Sequence, residues 1–311
     1  MTDTTETISL DVLLLPAFAA DDFEMKKDLP DEFERWLSTY EFENSASVPG
    51  ANMPIYYTDD GIGITSTGMG KPEAAATVTA ILASRKFDCS SAYFVTVGVA
   101  GTPPDVGTLG SVFVTDAIVD WDKKHRWAAR DGETEAERNH PLELFSYRPH
   151  DYVYHLNDEL VAMALEAGKS VELRDSGASN AYRDHYSQDA ARADPSVAVG
   201  TTLCSDEFWH GETVAEQAQW LVDEYDAGTY ATTEMEEMGT ATALDRFGLL
   251  DRYLSVRGVV NFDRPYDGQS IRESLHDGVE KETFDATLDN VVSVGAAIVD
   301  ELRADGAEFD G

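Results

Sequence analysis

The sequence predicts a single-domain α/β fold on three observations. Short apolar runs of strand length recur along the chain, helical patterns fall between them, and no repeat or flexible linker divides it. Residues 10–15 are an apolar run, interrupted only by Asp11, of the kind buried on both faces. Residues 62–67 alternate into a second strand that ends at Gly68-Met69-Gly70. Pro72 then stands where a helix favours its first residue, Glu73 complements the helix dipole, and 74–83 continues as a strong helix former. Residues 92–97 predict a strand broken by Gly98 and Gly101, and 111–119 another strand. The polar stretch 131–152, punctuated by His140-Pro141 and Arg148-Pro149, predicts a long excursion. Helical patterns follow at 156–167, 214–225 and 235–247, the last closed by Gly248, and strands at 196–203 and 254–260. A final helix over 284–302 places Leu288, Val291, Val292, Ile298 and Leu302 on one stripe. One domain spanning 8–305 is expected.

The composition excludes several classes. The chain has 311 residues with 42% hydrophobic content, enough for a full core, so general disorder is ruled out. Its 23 basic residues face 59 acidic ones, a formal charge of −36. Such a polyanion has no means of releasing counterions from nucleic acid or an anionic membrane face, so no nucleic-acid partner is expected. Fifteen Arg, only eight Lys and evenly dispersed acids fit a halophilic surface that stays soluble in concentrated salt. Cys89 and Cys204 are too few for a disulfide scaffold or a metal cluster. The first residues lack a basic region, and no run of about 18 apolar residues occurs, so no membrane span and a cytoplasmic location are expected.

Three segments carry candidate chemistry. Gly68-Met69-Gly70-Lys71-Pro72 joins a strand end to a helix start, where glycines let a ligand approach the backbone; a plain tight turn fits as well. Val97-Gly98-Val99-Ala100-Gly101 reads as a strand running out at the carboxyl edge of a sheet, where α/β proteins collect ligands, or as a turn. Glu234-Met235-Glu236 brings two acids to a predicted helix start. Acids two residues apart cannot share a helix face, so one at most is expected to reach a common ligand. A carboxylate that accepts both hydrogens of a vicinal diol is a natural holder of ribose.

In this order and spacing the three segments resemble the nucleoside phosphorylase and nucleosidase superfamily, and within it the purine nucleoside permease (NUP) family. Residues 261–269 (Asn-Phe-Asp-Arg-Pro-Tyr-Asp-Gly-Gln), Phe208-Trp209-His210-Gly211, Ala181-Tyr182-Arg183 and Thr108-Leu109-Gly110-Ser111 add to the likeness, which runs from about residue 8 to residue 300. The resemblance implies a three-layer α/β/α domain with a central mixed sheet, a purine nucleoside as the small-molecule partner, and a homo-oligomer. No cofactor is implied; inorganic phosphate is the one candidate co-substrate.

Residue by residue, the resemblance assigns Glu236 to the ribose hydroxyls and Met235 to packing against the sugar. Phe208 and Trp209 would stack on the base, with His210 the titratable group beside them. Asn261 stands where many relatives carry an aspartate that protonates the purine. An amide cannot act as an acid, so a hydrogen-bonding role is expected for it, with Asp263 as substitute acid. Gly70, Thr96, Gly98 and Val99 would form the pocket for phosphate or water. Phosphorylases usually carry a hydroxyl residue where this chain has Val99, and one branch an arginine where it has Thr96, so water is the expected attacker. Asp21, with Asp22 and Glu24 beside it, is the counterpart of the acid that prepares water in nucleosidases. Hydrolytic cleavage of a purine N-glycosidic bond is thus expected ahead of phosphorolysis; the alternative is a non-catalytic nucleoside-binding protein that assists uptake.

Overall fold

The computed structural model describes residues 7–19, 31–144, 152–277 and 280–304. Its frame is a ten-stranded mixed sheet. Strand Val12–Leu15, apolar at every position, is buried throughout and runs parallel to Ile62–Ile64 on one side and Tyr93–Thr102 on the other. Tyr93–Thr102 pairs in turn with the equally long Tyr253–Phe262, again parallel. Val112–Asp120 pairs antiparallel with Tyr253–Phe262 and Val153–His155, and parallel with Val197–Cys204, which is followed by Tyr230–Glu234. A single pair, Thr233 with Gly101, joins Tyr230–Glu234 back to Tyr93–Thr102. Five strands thereby close a circuit, and the long strands roll around it. Ile55–Tyr57 and Asn44–Ala46 extend the other edge as antiparallel strands.

The strand containing Gly98 and Gly101 does not break there as the sequence predicts. It runs on to Thr102. A Cβ at Gly98 would lie 2.6 Å from Glu32 Oε1 and 2.8 Å from Arg257 Nη1, and one at Gly101 would lie 3.0 Å from Asn261 Nδ2. These glycines mark close approaches by functional side chains rather than a strand end.

Helix Lys71–Ala83 begins after Gly70, whose φ of +90° suits glycine, with Pro72 in its first turn. The long helix Lys281–Ala304 buries Leu288, Val291, Ile298 and Leu302 as its spacing predicts, while Val294 and Val299 complete the stripe in place of the partly exposed Val292. The polar 131–152 stretch holds a short helix, Glu135–Asn139, opened by a Thr134/Glu137 capping box, and strand Leu142–Glu143 paired with His125–Arg126. Residues 145–151 lie outside the described residues. No helix among the described residues is long and apolar enough to cross a membrane.

Helix Glu237–Arg246 crosses the start of helix Lys71–Ala83 at Gly239. A Cβ there would fall 2.2 Å from the Lys71 carbonyl oxygen, a backbone atom that cannot swing aside. Gly239→Ala should therefore force the two helices apart. We expect a loss of about 1–3 kcal/mol, read as a lower denaturant midpoint at unchanged m-value; an unshifted midpoint would show the crossing to be looser than described.

Candidate functional site

Strands Tyr230–Glu234 and Tyr93–Thr102 come from opposite directions but meet only at Thr233 and Gly101, both near their carboxyl ends. The ends of Val12–Leu15, Tyr93–Thr102, Tyr230–Glu234 and Tyr253–Phe262 therefore converge, which is where open α/β sheets collect ligands. A cavity of about 360 Å³ lies there. Ala17 and Phe18 line it from the first strand, Val99 to Gly101 from the second, Thr233 to Glu236 from the third, and Arg257, Val260, Asn261 and Asp263 from the last. Glu32, Met69, Glu207, Phe208, Trp209 and Phe284 complete the wall.

At its base Arg257 is fully buried among carboxylates. Its Nε donates to Glu237 Oε1 at 2.5 Å and its Nη2 to Glu237 Oε2, while Glu234 and Glu236 each lie 3.5 Å from a guanidinium nitrogen. Glu237 also accepts from Ser255 Oγ (2.6 Å) and Thr96 Oγ1 (2.9 Å). Glu234 Oε2 accepts the backbone N–H groups of Glu236 and Glu237 at 2.6 and 2.9 Å, and its Oε1 has no partner among the described residues. Glu236 Oε1 accepts the Gly70 N–H at 2.9 Å. Glu32 takes the Val99 N–H on Oε1 and the Ala17 N–H on Oε2, both at 2.8 Å.

Four buried acids around one guanidinium cannot all carry charge. Burial pushes the Glu237 carboxyl up, but Arg257 and the surrounding donors outweigh it and hold the group below its ordinary value. Burial and the neighbouring Glu237 push Glu234 well above its own, which makes it the acid of the set that protonates most readily. Burial raises Glu236 against the pull of Arg257, and it raises Glu32 to about 7. Carboxylate oxygens of Glu234, Glu236 and Glu237 lie within 4.8 Å of one another, a spacing a metal ion could use. Arg257 reaches all three with its nitrogens, so the positive charge of that cluster is already supplied.

The acids here do not begin a helix as the sequence predicts. Glu234 ends a strand and Glu236 caps the following helix, so the chain turns between them and both line the cavity. Met235 lines it as well. Trp209 is buried against Trp121, ring centroids 5.7 Å apart, whereas Phe208 stands 66% exposed at the cavity wall. Asn261 lines the cavity with its Nδ2 donated to the Phe262 carbonyl (2.9 Å). Asp263 is buried, accepts Arg264 Nε at 2.8 Å and Tyr230 OH at 3.3 Å, and is pushed up by burial against the pull of Arg264.

His210 faces elsewhere: its Nε2 is 2.9 Å from Ser274 Oγ, and burial lowers its pKa. The Thr96 hydroxyl is turned to Glu237 and Tyr253 OH, away from the cavity. Gly70 and Gly98 act through their backbone and their lack of a side chain, and Val99 through its N–H to Glu32. Asp21, Asp22 and Glu24 lie outside the described residues. Glu32, Glu237 and Arg257 were missed by sequence reasoning. For Arg257 a signal existed, a lone cation inside the apolar run 254–260; Glu32 sits in an unremarkable acidic stretch.

Comparisons with known proteins agree with this architecture. The 5′-methylthioadenosine/S-adenosylhomocysteine nucleosidase of Neisseria meningitidis superposes with a TM-score of 0.60 at 14% identity, over 94% of this chain and 99% of that one. Its counterpart from Helicobacter pylori gives 0.59 at 15% identity, over 95% and 99%. At such identities the likeness shows the fold alone: a nucleosidase-like α/β domain with a central mixed sheet. A Schizosaccharomyces pombe relative named a probable purine nucleoside permease is 26% identical over 299 residues, covering 87% of this chain and 86% of its own. The family model described as purine nucleoside permease (NUP) matches residues 10–310, and the chain therefore belongs to the purine nucleoside permease family.

Proposed function

We propose that this protein binds a purine nucleoside and cleaves its N-glycosidic bond with water. The observation that carries the reading is Glu236: one carboxylate oxygen is fixed by the Gly70 amide, and the group lies on the wall of the cavity. A carboxylate so oriented accepts the paired hydroxyls of a ribose, with Met235 against the sugar. Phe208 and Trp209 offer aromatic surface to the base. The names of the Schizosaccharomyces pombe relative and of the two nucleosidases, which refer to purine nucleosides or adenosine thio-derivatives, support the same class of ligand.

Glu32 takes the role of the acid that prepares water. Each of its oxygens is held by one backbone N–H, which leaves lone pairs for a water molecule, and its raised pKa suits a base working near neutrality. Water attacks C1′ and yields a proton to Glu32 as the bond to the purine nitrogen breaks. Asn261 hydrogen-bonds the departing base; the buried Asp263 on the same wall is ion-paired to Arg264 and accepts from Tyr230, and burial raises its pKa against that pull. Among the described lining residues Arg257 is the sole cation, and carboxylates already occupy it. Phosphate would find no free charged donor there, which favours water as the attacker.

The family name favours a second reading, a nucleoside-binding protein that assists uptake without catalysis. Incubating the purified protein with inosine, adenosine or guanosine, with and without phosphate, separates the two. Free base and free ribose without phosphate are expected; ribose 1-phosphate that appears only with phosphate would overturn water attack. Tight binding with every nucleoside intact would establish the uptake reading.

Two variants test the roles. Glu236→Ala should weaken ribonucleoside binding by roughly a hundredfold, the value of two hydrogen bonds to a charged group, while free purine still binds. Because Glu32 must be ionised to accept a proton and its pKa is raised to about 7, kcat/KM should climb with pH through about 7 and then level off. Glu32→Gln should remove that limb and lower kcat by about 10²–10⁴ with nucleoside affinity kept. A pH profile identical to wild type would remove Glu32 from the mechanism.

A further inference from the structure

Lys71 follows the glycine turn directly, yet its side chain does not extend into solvent. Its Nζ lies 2.8 Å from Asp120 Oδ1 and 2.5 Å from Asp122 Oδ2, with Asp206 Oδ2 at 3.9 Å. Its backbone N–H donates to Asp206 Oδ1 at 2.8 Å, and the Asp206 N–H donates to Asp122 Oδ2 at 3.1 Å. These bonds form a closed loop that clamps the start of helix Lys71–Ala83 to the ends of strands Val112–Asp120 and Val197–Cys204. The residue held next to the clamp is Gly70, whose N–H is the donor to Glu236. Gly70 adopts a φ of +90°, and a turn at that angle needs fixed anchors to present one amide in one direction.

We propose that Lys71 is a positioning residue for the ribose-binding carboxylate: its ion cluster with Asp120, Asp122 and Asp206 holds the Gly70 amide on Glu236. The inference rests on the reading of Glu236 as the ribose ligand. Asp120 is almost wholly buried, so the lysine also supplies the counter-charge that a carboxylate at the strand end needs. Burial disfavours the ammonium form, but Asp120 and Asp122 outweigh it and keep Lys71 charged. Without the clamp the Gly70 amide no longer fixes Glu236 Oε1, and the hydroxyl pair loses a preorganised acceptor.

Calorimetric titration with inosine, 2′,3′-dideoxyinosine and hypoxanthine, each protein carrying Glu32→Gln so that cleavage is slowed while nucleoside affinity is kept, tests this on the otherwise wild-type protein, Lys71→Met, Lys71→Arg and Asp122→Asn. Wild type should prefer inosine over the dideoxy analogue. Lys71→Met should lower inosine affinity by about tenfold, one charge-assisted hydrogen bond's worth, with the other two ligands changed by less than about twofold. Asp122→Asn should move the same ratio in the same direction, and Lys71→Arg, which still bridges both acids, should restore it. An equal loss for all three ligands would reduce Lys71 to a fold-stabilising residue and overturn the proposal. An unchanged inosine-to-dideoxyinosine ratio in Lys71→Met and Asp122→Asn would overturn it too, with Glu236 left in place. Should Lys71→Met fail to fold, the Asp122→Asn ratio decides alone, since that side chain is partly exposed. No preference for inosine in wild type would instead sink the Glu236 reading itself.

Discussion

The ionic contact of Arg257 with Glu237 is the constraint on which the site depends. A guanidinium with almost no exposed surface, on the central strand Tyr253–Phe262, must find its counter-charge locally, because an unpaired buried charge costs several kcal/mol. Glu237 supplies it with two oxygens, and Ser255 and Thr96 satisfy what remains of that carboxylate. The contact fixes where helix Glu237–Arg246 begins. Glu236, one residue earlier, has no freedom left in its backbone and presents its carboxylate to the cavity. Glu234, whose oxygen caps the N–H groups of both, locks the same turn from the strand side.

Glycine does the complementary work. The acids gather around Arg257 from two segments, Glu32 and Glu234 to Glu237, with the backbone yielding space at Gly98, and the crossing of two helix starts is possible because Gly239 rests against the Lys71 carbonyl. That crossing brings the Gly70 amide onto Glu236. Helix packing and the hydrogen bond that orients the ligand-facing carboxylate are thus one event, and a methyl group at Gly239 acts on both.

Much of this was legible in the sequence, and the failures have physical reasons. The buried strands and the long amphipathic helices follow from apolar runs and periodicity, and their predicted bounds fall within a few residues of the observed ones. The short edge strands Asn44–Ala46 and Ile55–Tyr57 carry too few residues to show a period, and strand Tyr230–Glu234 hides its burial behind threonines. Gly98 and Gly101 misled because the pattern of a strand end and that of a strand pressed by side chains are alike in one dimension. The burial of Glu234 and Glu237 is not legible in one dimension: a cluster of acids is ordinarily a solvated face, and only the arginine twenty residues on, brought alongside by the sheet, makes it a buried one. Glu32 gave no signal at all, since its place is set by backbone amides of Ala17 and Val99 rather than by neighbours in the chain.

Under the proposed reaction the same electrostatics serves the chemistry. As the N-glycosidic bond stretches, positive charge gathers on the sugar ring, and a cavity whose described ionisable lining is acidic except for one neutralised arginine stabilises that charge more than it stabilises the neutral nucleoside. The proton inventory fits this use. Glu237 spends its charge on Arg257 and burial pushes Glu234 furthest toward its protonated form, which leaves Glu236 and Glu32, both also raised by burial, as the acids that face the ligand. An attacker bearing two negative charges would have to enter against those carboxylates, whereas water enters without penalty and is deprotonated by one of them. The buried cluster thus favours both the developing cation and the neutral nucleophile through a single arrangement of charge.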